Sequence, residues 1–69
     1  MITLRRDGFR VEAAAVPEPD GTCCVTAEVY QGRRMLRGYY RRLDVPYSRY
    51  REAERQVAED VARMSSEAE

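Results

Sequence analysis

The sequence predicts an α+β domain: a four-stranded antiparallel β-meander closed by one C-terminal helix on one sheet face, in the order ββββα. Three observations predict it. Asp-Gly occurs twice, at Asp7-Gly8 and Asp20-Gly21, and each pair borders runs of alternating apolar and polar residues. Gly32 separates a run rich in β-branched and aromatic residues, Thr22 to Tyr30, from a further run over Met35 to Leu43. Beyond Pro46 the apolar spacing changes from that of a strand to that of a helix.

The first hairpin is the most sharply specified. Asp-Gly suits a two-residue type I′ turn, whose two positions both need positive φ. With Asp7-Gly8 as the turn, Arg6 faces Phe9, Leu4 faces Val11 and Ile2 faces Ala13, and Ala15 extends the same side. Thr3, Arg5, Arg10 and Glu12 fall on the other side, so this register sorts apolar from polar with Arg6 as the exception. Pro17-Glu18-Pro19-Asp20-Gly21 ends the second strand, because proline removes backbone donors and Asp-Gly marks another tight turn.

Thr22 to Tyr30 forms the third strand, with Cys23, Val25, Ala27 and Val29 alternating against Cys24, Thr26, Glu28 and Tyr30. Gln31 to Arg34 is a short turn, and Met35 to Leu43 is the fourth strand. A Gln31-Gly32 loop would pair Ala27 with Leu36, Val25 with Gly38 and Cys23 with Tyr40; a four-residue loop would alter that register. Asp44-Val45-Pro46 then breaks the strand. Asp44 and Ser48 are both candidate N-caps, and Ser48, with Pro46 just outside, fits better. Tyr50, Ala53, Val57, Val61 and Met64 recur at helical spacing, while Arg51, Glu52, Arg55, Glu59, Asp60 and Arg63 take the opposite face. The domain is expected over residues 1–64, with a frayed tail over 65–69.

The chain has 69 residues and is expected to form one domain. A domain of about this size buries only about 60% of the surface its unfolded chain exposes, so extra stabilisation is expected. Cys23 and Cys24 are neighbours and are badly placed to bridge each other. Without histidine, the ligand spacing of a zinc site is missing. Self-association is left as the stabiliser. Met1 to Arg6 runs straight into a turn signal, so no signal peptide is expected. No run approaches the roughly 18 apolar residues of a membrane span, and a cytoplasmic location with two free thiols follows as the expectation.

Composition also bounds the chemistry. Without His or Lys, a single chain cannot build Ser-His, Cys-His, metal-hydroxide, Schiff-base or Walker-type sites. The four glycines are dispersed, so no phosphate-cradling loop exists. No catalytic residue, cofactor or metal is expected, and the protein is read as a non-enzyme. One cysteine is expected as a buried structural thiol and the other as an exposed bystander.

All twelve basic residues are arginine, which is what codon bias in a GC-rich bacterial genome produces. Their distribution is uneven: net charge is −2 over residues 1–32, +6 over 33–51 and −4 over 52–69. On the register above, the sheet face turned away from the helix gathers Arg5, Arg10, Tyr30, Arg33, Arg37, Tyr39 and Arg41, with Met35 beside them. Arg, Tyr and Met are enriched at protein interfaces, so the first expectation is a protein partner or a homodimer through this face or an edge strand. The alternative is nucleic acid, held by guanidinium groups on phosphates and rings on bases. Of Tyr39 and Tyr40, one ring belongs in the core whichever way the strand sits.

Gly8-Phe9 before an alternating strand, Pro19-Asp20-Gly21 before another, and Pro46, Tyr50, Ala53-Glu54 and Val61 along the final segment together resemble a type of short bacterial protein of unknown function, HlyU-like transcriptional regulators among them. The resemblance covers roughly residues 8–64 and rests on spacing. It implies the meander-plus-helix fold and carries over no functional residue.

Overall fold

The computed structural model of the chain describes residues 1–67, with side chains described as far as Ser65. Four strands form one antiparallel sheet in the order β1-β2-β3-β4: β1 (Ile2–Arg6), β2 (Phe9–Pro17), β3 (Thr22–Gln31) and β4 (Arg34–Pro46). A 3₁₀ turn over Tyr47–Arg49 leads into α1 (Tyr50–Glu67). This is the ββββα arrangement that the alternating runs and the final helical period predict.

The first hairpin has the expected register, Ile2 with Ala13, Leu4 with Val11 and Arg6 with Phe9. Asp7 (φ 52°) and Gly8 (φ 82°) both hold positive φ, as a type I′ turn requires. The second turn is locked by its own side chain. Asp20 Oδ1 accepts from the Thr22 amide at 3.0 Å and from its hydroxyl at 2.6 Å. Those two bonds hold the Asp20 carboxyl below its ordinary pKa.

The third hairpin departs from the expected register. Its loop is Gly32-Arg33, with Gln31 opposite Arg34, and only Gly32 takes positive φ (64°), the pattern of a type II′ turn. Tyr30 then pairs with Met35, but Val29 pairs with Arg37, so Leu36 is an extra residue in the ladder. Beyond this bulge Ala27 pairs with Tyr39, Val25 with Arg41 and Cys23 with Leu43. Moving the loop alone would have kept Leu36, Gly38 and Tyr40 on the side of Val29 and Ala27. The bulge reverses that, because a one-residue slip sends every side chain to the other face.

The strand also continues past its expected end. Thr22 pairs with Pro46, leaving Asp44 and Val45 as a second irregularity, and the Tyr47 amide donates to Gly21 O at 2.9 Å. Neither proposed cap is used. Ser48 lies inside the 3₁₀ turn, and Pro46 starts that turn with no side-chain cap bond. Tyr47 and Tyr50 stack across it, with centroids 5.3 Å apart. The helix itself runs to Glu67, past the expected domain end; residues 68 and 69 of the expected tail lie outside the described residues.

The core lies between the sheet and α1. Phe9, Val11 and Ala13 from β2 and Cys23, Val25, Ala27 and Val29 from β3 meet Ala53, Val57, Ala58, Val61 and Ala62. The largest fully buried side chains are only valines and cysteines. Alanines and valines on both surfaces let the helix lie close to the sheet, and each fully buried valine contributes about 1.5 kcal/mol or more. The helix packs chiefly on β2, next on β1 and β3, and least on β4.

One buried charge ties the helix to the sheet. Glu54, 5% exposed, accepts the Ala15 amide at 2.9 Å and pairs with the Met1 ammonium at 3.2 Å. Ala15 lies beyond the last β1–β2 pair, so its amide has no β1 partner and a helix carboxylate supplies the acceptor. Glu54→Ala strands that amide and is expected to cost about 1–3 kcal/mol in urea unfolding, whereas Glu54→Gln, which keeps an acceptor, costs less.

Two glycines separate backbone need from chance. Gly32→Ala is expected to lose about 1 kcal/mol or more, because its φ disfavours a Cβ. At Gly38 an added Cβ would meet only Met35 Cε at 3.9 Å, so Gly38→Ala is expected to gain roughly 0.5 kcal/mol in the same assay.

Candidate interaction surface

β4 is an edge strand of 13 residues, bonded to β3 on one side only. Its other side presents alternating backbone N–H and C=O groups with no strand partner. The opposite edge, β1, has only five residues. From Gln31 through Gly38 every residue is exposed.

The bulge gives the two sides of β4 different chemistry. On the inner side Arg37, Tyr39, Arg41 and Leu43 follow the row of Val29, Ala27, Val25 and Cys23. Because α1 scarcely reaches β4, this row is only partly covered. A cleft of about 360 Å³ opens there between the end of the helix and the strand. Phe9, Val29, Leu36, Tyr39 and Met64 make it mainly apolar, with Arg37 and Ser65 at its border. Arg37 Nη1 donates to the Tyr39 hydroxyl at 3.4 Å, and Arg41 Nη2 approaches Met64 Sδ at 3.9 Å. None of the ion pairs Met1–Glu54, Arg10–Glu12, Arg55–Glu59 and Arg63–Asp60 involves β4. The inner side of the strand is therefore an apolar wall carrying two guanidinium groups that have no carboxylate partner among the described residues.

The outer side, away from the helix, is more nearly self-satisfied. Arg10 pairs with Glu12 at 2.9 Å and lies 4.5 Å over the Tyr30 ring. Burial, with Glu28 and Glu12 nearby, pushes the Tyr30 phenol above its ordinary pKa. At the other end Tyr40, 64% exposed, donates to Glu18 Oε1 at 3.4 Å. Contact with the Cys24 thiol, foremost, raises the Tyr40 phenol; burial and Glu18 add to it, and Arg42 opposes it.

The expected single face of arginine and tyrosine is thus divided. Arg5, Arg10, Tyr30 and Met35 share the outer face by register, and Arg33 sits in the loop beside them. Arg37, Tyr39 and Arg41 lie on the inner face instead. Tyr39 is the half-buried ring of its pair and Tyr40 the outer one. Leu36, Met64, Tyr40 and Arg42 were not among the expected contributors. A glycine read as the first loop residue would have given the Gly32-Arg33 turn, but Met35-Leu36-Arg37 contains nothing that announces a bulge.

The cysteines also differ from expectation, since both are buried and free. Cys23 is on the core face, where its thiol donates to Pro46 O at 3.6 Å. Cys24 points to the outer face but is only 2% exposed, because β3 is an interior strand and Cys24 is flanked by Val16 and Arg42 and contacted by Tyr40. Among the described residues no group of three or more His, Cys, Asp or Glu comes together, and no helix is long and apolar enough to cross a membrane. No family model matches the chain, and neither a curated protein nor a solved structure is significantly similar to it.

Burial, and secondarily the Glu54 charge, raises the Cys23 thiol above its ordinary pKa of 9.0. Above that value the unfolded chain loses this proton before the folded chain does. The contribution of this thiol to folding stability is therefore present in full below pH 9.0 and is lost as pH rises through the folded-state pKa. Thermal melting should show a lower midpoint at about pH 10 than at about pH 7, with part of that fall removed in Cys23→Ala.

Proposed function

We propose that this chain is a non-catalytic protein-interaction module whose docking element is the β4 edge. The observation that supports it most is the long, one-sided edge strand beside an apolar cleft that the helix does not cover. An extended segment laid along β4 would gain main-chain hydrogen bonds from the strand and side-chain contacts from the cleft. A cytoplasmic setting suits the two free thiols.

Charge argues for a different chain as the partner. Two β4 strands placed side by side would bring eight guanidinium groups against two Asp44 carboxylates. Like charges opposite one another destabilise a sheet. Inward-pointing charge and a bulge are also the devices by which edge strands avoid pairing with themselves.

Nucleic acid is the second reading, and the +6 charge of residues 33–51 favours it. Against it stands the division of rings and guanidinium groups between two faces, with Arg10 and Tyr30 already engaged with each other.

Replacing Tyr39 with a photo-crosslinking phenylalanine analogue, in the cells that make the protein, tests the proposal. A discrete protein adduct is expected from Tyr39 and none from the same analogue at Thr3 on the short edge. An adduct to nucleic acid, or none at all, would overturn it. Sedimentation should give the monomer mass throughout the micromolar range, and a dimer that Arg37→Glu abolishes would make the partner a second copy.

A further inference from the structure

Resting on the reading of β4 as a docking edge, the register points to the sequence pattern of the partner. We infer that β4 takes an extended acidic segment patterned acid–x–apolar–x–acid, whose three spaced side chains lie on the inner face.

The inference follows from pleat and charge. A strand added along β4 alternates faces in step with it, so every second residue lies on the inner side. Those residues come beside Arg37, Tyr39 and Arg41, in that order or its reverse. The central one meets the Tyr39 ring at the open side of the cleft, where Leu36 and Met64 supply apolar surface. An aliphatic or aromatic side chain there would be removed from water on several sides. Its two neighbours on the same face come beside guanidinium groups. Among the described residues Arg37 has only the Tyr39 hydroxyl as a polar partner, and Arg41 only the Met64 sulfur.

Carboxylates at those places would pair with two guanidinium groups that have no carboxylate partner among the described residues. A lysine-bearing strand would instead add like charge beside each arginine. The pattern is the same in both directions, so it does not depend on strand polarity. It depends entirely on the Leu36 bulge. Were Leu36 paired with Val29 instead of left out of the ladder, the inner row would be Leu36, Gly38, Tyr40 and Arg42, with one charge in place of two.

Three peptides of equal length separate the alternatives, each titrated into the isotope-labelled chain while backbone amide shifts are followed. One is Thr-Glu-Thr-Val-Thr-Glu-Thr. The second has lysine at both glutamate places, and the third has its glutamates moved one place inward, onto the other face. The first peptide is expected to shift the amides of β4 and to bind at least about tenfold more tightly than either of the others.

Arg37→Glu combined with Arg41→Glu should reverse the preference, so that the lysine peptide binds and the glutamate peptide does not. Retained sheet and helix signals in circular dichroism keep that comparison meaningful. Equal shifts of β4 by all three peptides would overturn the acidic pattern and leave the docking edge standing. Shifts confined to the outer face, or none from any peptide, would also overturn the pattern; the Tyr39 crosslink then decides separately whether β4 docks a protein at all.

Discussion

The orientation of β4 depends on one extra residue. Leu36 is left out of the ladder between Met35 and Arg37, and from Arg37 onward this bulge exchanges the two faces of the strand relative to an unbroken pairing. Tyr39 and Leu43 thereby join the margin of the core, and Gly38 and Tyr40 move to the outer side. The exchange also carries Arg37 and Arg41 inward, where an edge strand normally keeps apolar groups. Packing and electrostatics thus act in opposite directions at this edge. The ring and the leucine extend the hydrophobic surface, and the guanidinium groups place like charge along it.

The small size of the core residues sets how far the helix can reach. Valine and alanine allow α1 to lie close over β1, β2 and β3, but a single helix cannot shield four strands. At its beginning the helix is fixed by Glu54 to the amide of Ala15. At its far end Met64 approaches Arg41 and borders the cleft. Anchoring the helix on the β1 side therefore leaves the β4 side thinly covered. Thinner cover generally means easier local opening, and an element that accepts a partner is drawn from that part of a fold.

Much of this architecture was legible in the residues. Asp7-Gly8 determined both turn type and register for the first hairpin, because only one pairing puts Ile2, Leu4, Val11 and Ala13 together. The helical spacing of Ala53, Val57 and Val61 identified the buried stripe of α1. The candidate surface was less legible. Its register is set by a loop whose glycine comes first and by a bulge built from ordinary residues, and neither changes the apolar pattern of β4. That strand has Leu36, Tyr39, Tyr40 and Leu43 on both parities, so hydrophobicity could not select a face. Burial of Cys24 was hidden for another reason: it comes from the interior position of β3 in the sheet.

The inequality of the two edges has a consequence for valency. β1 is short, and beyond its end the amide of β2 at Ala15 is already occupied by Glu54. The longer run of backbone groups without a strand partner is on the β4 side. A sheet with two receptive edges can be extended without limit, and filaments arise in that way. On the reading proposed above β4 is the receptive edge, and a strand added there would end the series as a finite pair.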